Sequence, residues 1–498
     1  MPALTSRPLR LPSRDEVDNC VPTAAVWEVT LACNLHCKLC GSRAGKARRN
    51  ELSTQEAFDL VDQLAAMGVR DVGLIGGEVH LRKDWVEIVA AIVRAGMSCS
   101  IQTGGRSFSA AVAAKAAAAG LSGAGVSIDG LRENHDFIRG VKGSYDQAIA
   151  ALGHLRDHGL PTSVSTQLWS RSLDDLHGLL DVIAEAGVKS WQIQLSVAMG
   201  NASDNNVHLL QPYQMLDIFP LLDKLYDAAL AEGIRLILAN NVGYFGPYEA
   251  KLRSVEPLAT HWDGCSAGRN GLGIEADGKI KGCPSLATNE YTGANIRDMP
   301  LAEIWNSTQQ LAYVRTRTRD DLWGFCRGCY YADVCMGGCT WTAHSLFGRP
   351  GNNPYCHYRA LTLQQAGLHE RIRQISRAPG VPFDNGIFEL VIEDDRGKTF
   401  DYRAAPLTEF SCEGSLSKVS AKRRELLLCS ACDQFVQSQE VECPFCKGLT
   451  LESRAMREQK SAELAPVLQT VRALLDSKTL IDEGTKTTSD CRPFIRRS

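Results

Sequence analysis

The 498-residue chain contains no apolar run approaching the roughly 20 residues that span a bilayer. Its opening, MPALTSRPLRLPSRDEVDNC, has no apolar core of signal-peptide length. These absences argue against a membrane-spanning helix and a secretory leader, and make a cytoplasmic location the expectation. An excess of charge is missing too. Fifty-four Lys and Arg against 57 Asp and Glu leave a net charge of −3 with both signs interspersed, so composition makes no case for nucleic acid or a membrane surface as partner. What the chain does have in quantity is cysteine, 18 residues of it. A chain of this length, 44% hydrophobic, buries a core without staples, and reducing cytosol disfavours disulfides, so ligation of metal or clusters is the better reading. Fourteen of the cysteines fall into three groups; Cys20, Cys99, Cys412 and Cys491 stand apart and read as thiols without a role.

From residue 26 to about 240 an apolar or β-branched run is followed, again and again, by an amphipathic stretch closing on glycine: Gly68, Gly96, Gly120, Gly159, Gly187 and Gly233. In LSTQEAFDLVDQLAAMG, Ser53 and Glu56 form a capping box, and Leu60, Leu64 and Met67 share a face. The expected strands are AVWEVTL, VRDVGLIG, SCSIQT, GAGVSID, PTSVSTQLW, SWQIQLS and IRLILAN. Strict alternation of strand and helix implies a parallel α/β sheet, and six or seven units suit a partial (β/α)6-type barrel, with an open doubly wound sheet as the competitor. The expected organisation is a lead-in at 1–25, the barrel at 26–250, a cysteine-rich domain at 255–362, a β-hairpin plus zinc-ribbon-like module at 380–450, and a helix with a polar tail at 451–498. The hairpin is expected within FELVIEDDRGKTFDYR, around Asp-Arg-Gly.

The first cysteine group, Cys33, Cys37 and Cys40, lies just past the first strand's carboxyl end, where parallel α/β folds place their chemistry. Gly76-Gly77-Glu78 follows the second strand, Gln102-Thr103-Gly104 the third and Ser127-Ile128-Asp129 the fourth, all on one face. Three thiolates can hold three irons of a four-iron, four-sulfur cube and leave one iron open; a zinc knuckle lacking a ligand, or unrelated thiols, are the alternatives.

At these residues the chain resembles the radical S-adenosylmethionine (SAM) enzymes. The resemblance implies that SAM chelates the open iron and is cleaved to methionine and a 5′-deoxyadenosyl radical, which removes hydrogen from an unactivated C–H bond. It implies that Gly76, Gly77 and Glu78 receive the SAM amino group, that Gln102 and Thr103 lie near the centre, that Ser127 with Asp129 faces the ribose, and that Arg139 meets the SAM carboxylate or a nearby substrate charge. Leu39 stands where the family commonly has an aromatic residue, and Val79 where many relatives have proline.

Seven further cysteines between 265 and 356 resemble the SPASM extension of that family, which carries two auxiliary iron–sulfur clusters; structural zinc sites are the alternative. Carried over by position, Cys326, Cys329, Cys335 and Cys356 complete one cluster, and Cys265, Cys283 and Cys339 hold the other, leaving an iron open or bound by another residue. His344, His357, Tyr358, Trp262 and Trp305 read as packing around them. The third group, Cys429, Cys432, Cys443 and Cys446, is a CxxC, ten-residue, CxxC pattern that reads as a structural metal site, with zinc preferred to iron.

The implied cofactors are three [4Fe-4S] clusters, SAM and one zinc. The implied function is a peptide or protein maturase that abstracts hydrogen and oxidises or cross-links its substrate, through thioether or carbon–carbon bonds, with help from the auxiliary clusters. A flavodoxin or ferredoxin is the expected electron donor; because about 25 residues precede the first strand, leader recognition falls to the C-terminal region or to a separate leader-binding protein, or is unnecessary. The competing readings are a sugar or aminocyclitol dehydrogenase, a sulfatase-maturase-like protein oxidase with Asp129 or Asp277 as acid–base candidates, and a non-enzymatic cluster scaffold. No catalytic acid or base is singled out.

Overall fold

The structure, a computed structural model, describes residues 12–254, 260–394, 396–401, 426–429, 431–438, 440 and 442–448. The helix and polar tail expected at 451–498, like Cys412 and Cys491, lie outside the described residues.

Seven strands occupy the expected places: β1 (Ala24–Thr30), β2 (Asp71–Gly76), β3 (Ser98–Thr103), β4 (Gly123–Ser127), β5 (Thr162–Leu168), β6 (Ser190–Leu195) and β7 (Arg235–Leu238). They lie side by side in chain order, each parallel to the next. A doubly wound sheet reverses its strand order at a switch point. None occurs between β1 and β7, so the barrel-type winding holds and the doubly wound alternative falls. The helix Thr54–Ala66 starts at the Ser53–Glu56 capping box and buries Ala57, Leu60, Val61 and Leu64. All six glycines expected to close helices have positive φ, between 69° and 85°, a conformation that penalises any residue bearing a Cβ.

On its other side β1 pairs in parallel with β8 (Gly271–Ile274), followed by antiparallel β9 (Lys279–Lys281) and β10 (Ala294–Asn295). The second cysteine region is therefore bonded into the barrel sheet. Cys265 precedes β8 and Cys283 follows β9, so register with β1 (Ala24 to Gly271 through Trp27 to Ile274) fixes both. A buried chain of charges strengthens the join: Glu28 of β1 pairs with Arg48 at 3.1 Å, Arg48 with Glu275 at 3.2 Å, and Glu275 with the fully buried Lys281 at 2.6 Å.

After Cys356 the helix His357–Gln365 leads into β11 (Leu368–Ser376), which pairs antiparallel with β12 (Ile387–Asp394), itself paired with β13 (Thr399–Asp401). β12 and β13 are the expected hairpin. β11 was not expected, because buried Glu370 interrupts its apolar alternation, and only its partner explains that residue. Arg359 Nη2 meets Glu370 at 2.6 Å, and Arg359 Nη1 donates to Asn352 Oδ1 at 2.7 Å, with Arg359 0% and Glu370 3% exposed. Arg359→Met strands the carboxylate without its charge partner and is expected to cost about 3–5 kcal/mol. Thermal unfolding checks this, and the double variant with Glu370→Leu should recover part of the loss. β14 (Leu426–Leu428) and β15 (Phe435–Gln437) form a separate antiparallel ribbon. No helix among the described residues is long and apolar enough to cross a membrane.

Candidate active site and metal centres

The carboxyl ends of β1 to β5 surround a cavity of about 210 Å³. Cys33, Cys37 and Cys40 line it together with Gly76, Gly77, Glu78, Gln102, Thr103, Ser127, Asp129 and Arg139, so every residue expected around the cofactor faces one space. Burial pushes the Cys33 thiol up to about 11 and Cys37 to about 12. The convergence of Cys33, Cys37 and Cys40 on one cavity past the carboxyl end of β1 suits three ligands of one iron–sulfur cluster.

The loop carrying the cysteines is held by backbone. His36 N–H donates to the Arg139 carbonyl at 3.1 Å and Lys38 N–H to that of Ile138 at 2.8 Å. Gly140, at φ 69°, is pressed against the loop: a Cβ there would lie 2.3 Å from the His36 oxygen. Gly77 and Glu78 donate to the carbonyls of Thr30 (2.8 Å) and Ala32 (2.7 Å). What demands glycine at 76 and 77 is this contact, since Cβ atoms there would meet the Thr30 oxygen at 2.2 Å and the Ala32 oxygen at 2.1 Å.

Polar groups inside the cavity are partly committed. Glu78 accepts from Thr103 Oγ1 and, at 2.6 Å, from Gly104 N–H, while burial pushes its carboxyl up to about 7. Gln102 Nε2 donates to Ser127 Oγ at 2.9 Å, and Gly125 leaves the room for Gln102, whose Oε1 would lie 2.0 Å from a Cβ. Asp129 accepts from Gln167 N–H at 2.9 Å and pairs with Arg139 at 2.7 Å. Arg139 also reaches Cys37 Sγ at 3.8 Å, and its Nε is buried without a partner, a donor suited to an anionic group such as the cofactor carboxylate. Leu39 is buried and lines the cavity, supplying the apolar contact in place of an aromatic ring.

Several residues here escaped the sequence reading. Asn201 accepts no role from its surroundings in the chain, yet its Nδ2 donates to the Cys37 carbonyl and its N–H to that of Cys40, both at 2.9 Å, and Asn205 Nδ2 donates to the Lys38 carbonyl at 3.1 Å. Arg43 pairs with Asp204 at 2.5 Å and with Asp384 at 2.7 Å, tying the cysteine loop to the segment before β12. Applying the strand-end rule to β5, as well as to the first four strands, points to Gln167; Asn201 lies beyond the end of β6, at the start of the helix Asn201–Asp204.

The later cysteines divide between two neighbouring places. Cys326, Cys329, Cys335 and Cys356 line one enclosed chamber walled by Phe245, Phe325, Tyr331 and Tyr358. Burial pushes all four thiols up. Cys339 is not in that chamber; burial pushes its thiol to about 12, with Cys265 and Cys283 beside it pushing the same way. Tyr244 lies between the two sets, its hydroxyl accepting the Cys339 N–H at 2.7 Å and its carbonyl facing Cys356 Sγ at 3.4 Å. Cys265 and Cys283 pack in one cluster with Met199, Trp341 and Phe383, while Cys339 packs with Tyr244, Cys329 and Cys335; a Cβ on Gly41 of the cavity would lie 3.8 Å from the Met199 side chain. His344, His357, Trp262 and Trp305 are buried. The third group converges tightly, all four ligand atoms within 4.8 Å of one another.

Comparison with known proteins agrees with this geometry. Residues 27–193 match the radical SAM superfamily, and residues 265–330 match SPASM, an iron–sulfur cluster-binding domain. The chain is 30% identical over 342 residues to the mycofactocin maturase MftC of Mycolicibacterium smegmatis, covering 67% of this chain and 82% of that one. It is 28% identical over 344 residues to an AdoMet-dependent heme synthase of Nitratidesulfovibrio vulgaris, covering 67% and 91%. In fold it is similar to SuiB of Streptococcus suis bound to S-adenosylmethionine, with a TM-score of 0.54, 16% identity, and 68% and 76% coverage.

Proposed function

Because the chain belongs to the radical SAM superfamily and carries its SPASM cluster-binding domain, we propose that it removes hydrogen from a peptide or protein substrate and completes the oxidation or cross-link through its auxiliary centres. In this reading Cys33, Cys37 and Cys40 hold one four-iron cluster, Cys326, Cys329, Cys335 and Cys356 a second, and Cys265, Cys283 and Cys339 a third. When bound, the first cluster and SAM together supply the hydrogen-abstracting adenosyl radical. The chain's own residues position that chemistry. Glu78 and Arg139 offer opposite charges to the amino and carboxylate groups of SAM, Gln102, Thr103, Ser127 and Asp129 surround the remainder, and Asn201 and Asn205 keep the cysteine loop in place.

One observation carries the proposal: Cys265 and Cys283 pack in one cluster with Met199, whose side chain would stand 3.8 Å from a Cβ on Gly41 of the cavity, so a cluster held by these cysteines would offer an electron acceptor on that side of the cavity. With a cluster bound there, the substrate would lose one hydrogen atom by abstraction, one electron to the cluster and one proton to solvent, a two-electron oxidation that consumes one SAM. A flavodoxin or ferredoxin supplies the initiating electron, and a separate protein presents the peptide leader, all in the cytoplasm.

The heme synthase relative, spanned over 91% of its length, favours a second reading with a tetrapyrrole substrate. Reconstituted protein incubated with SAM, dithionite and either a peptide encoded beside its gene or an iron porphyrin separates the two. The expected result is 5′-deoxyadenosine together with a peptide that has lost two hydrogens or gained a cross-link; turnover of the porphyrin alone overturns the peptide reading.

A further inference from the structure

The ribbon at residues 426–448 has no part in the proposed reaction, yet it lies on the chamber of Cys326, Cys329, Cys335 and Cys356. Cys429 Sγ is 3.7 Å from Cys446 Sγ, and Cys432 Sγ is 3.6 Å from Cys443 Sγ. A tetrahedron with metal–sulfur bonds of about 2.3 Å has edges of about 3.8 Å, so these sulfurs are spaced for one ion and not for a four-iron cube. Among the described residues the ribbon's own core is Cys429, Val436 and Cys443, with Cys432 and Phe445 packed on it. So little apolar surface does not hold a hairpin together unaided, and a bound ion does.

The contacts with the chamber are specific. Tyr331 hydroxyl donates to the Phe435 carbonyl at 2.7 Å, Gln437 N–H to the Tyr330 hydroxyl at 2.9 Å, and Gln437 Nε2 to the Tyr330 carbonyl at 3.0 Å. Phe445, lying between the ligands Cys443 and Cys446, sets its ring against Tyr330, Tyr331 and Tyr358 at centroid distances of 5.6, 6.2 and 6.0 Å. Tyr331 and Tyr358 are walls of the chamber, and Phe245 stacks on Tyr331 at 3.8 Å.

We propose that the ribbon is a metal-pinned lid: one zinc ion at Cys429, Cys432, Cys443 and Cys446 holds Phe435 and Phe445 over the tyrosines that wall the four-cysteine auxiliary cluster, and so shields that cluster from solvent and oxygen. The mechanical chain is short. The ion fixes Cys443 and Cys446, these fix the Phe445 between them, and Phe445 bears on Tyr331 and Tyr358. Zinc suits the task because it has no redox change and imposes a tetrahedral set, while exposure is one of the factors that tune an iron–sulfur centre. The lid rests on the assignment of a cluster to Cys326, Cys329, Cys335 and Cys356.

The test uses the full chain carrying Cys33→Ala, Cys37→Ala and Cys40→Ala, so that all remaining iron is auxiliary. Iron release to a chelator is followed on exposure to air, with and without Cys443→Ser plus Cys446→Ser, and separately with Phe445→Ala. The parent should hold one zinc; the double serine variant should lose it and release auxiliary iron several-fold faster. Phe445→Ala should keep its zinc and still release iron faster, which a purely structural role for the ion does not produce. Unchanged release in both variants, or a tetrad that purifies with iron, overturns the lid. A parent without auxiliary iron overturns the ligand assignment, and the lid with it.

Discussion

Replacing Cys33, Cys37 and Cys40 together by alanine is expected to reduce 5′-deoxyadenosine release to that of a protein-free control while leaving about two-thirds of the iron bound, the share of two clusters in three. The three thiols converge on one cavity and are the only cysteines that line it among the described residues. The later cysteines are placed independently of it: Cys265 and Cys283 flank the β8–β9 hairpin, Cys326, Cys329, Cys335 and Cys356 line their own chamber, and the Cys339 N–H is held by the Tyr244 hydroxyl. Deleting the first site therefore removes the seat of the cofactor without loosening the others. Iron analysis and spin quantification of the reduced protein read this directly. Loss of nearly all iron contradicts the grouping of the later cysteines.

Gly77→Ala is expected to have nearly the same catalytic consequence with every cysteine in place. A Cβ at this position falls 2.1 Å from the Ala32 oxygen and 2.9 Å from Cys33 Cβ, and both obstacles belong to the cysteine loop. The loop cannot simply step aside, because Glu78 N–H is bonded to that same Ala32 carbonyl at 2.7 Å and Gly77 N–H to Thr30 at 2.8 Å. Overpacking of this kind costs about 1–3 kcal/mol. Here the cost falls on the backbone that positions Cys33, so the first cluster should be lost or altered while auxiliary iron stays. Gly153→Ala is the control: it lies inside the helix Ser144–Asp157 with nothing within 4 Å of its Cβ, and should be neutral or slightly stabilising. Cluster spectra and 5′-deoxyadenosine yield of the two variants should diverge sharply, and equal behaviour contradicts the argument.

The seven parallel strands were legible because each is a short apolar run and the first six are each followed by a helix that ends on glycine, and both signals are local. The strand ends were legible for β1 to β4 because Cys33, Glu78, Thr103 and Asp129 are unusual residues in those positions. Asn201 and Asn205 gave no such signal, being polar residues at the two ends of a one-turn helix beyond β6, although they hold the carbonyls of Cys37, Cys40 and Lys38. β11 was hidden by Glu370, a charge that makes sense in a buried strand only once Arg359 is placed beside it.

The sequence by itself determined the number and spacing of the thiolates, and with them the chemistry open to each group, because ligand spacing within a turn or knuckle is a property of contiguous chain. The tertiary structure alone decided that Cys326, Cys329, Cys335 and Cys356 line one chamber, that Cys265 and Cys283 pack in one cluster with Met199, and that the ribbon lies on the four-cysteine chamber. Those relations run through Met199, Tyr244, Tyr331 and Phe445, whose partners stand up to a hundred and more residues away and are chosen by packing.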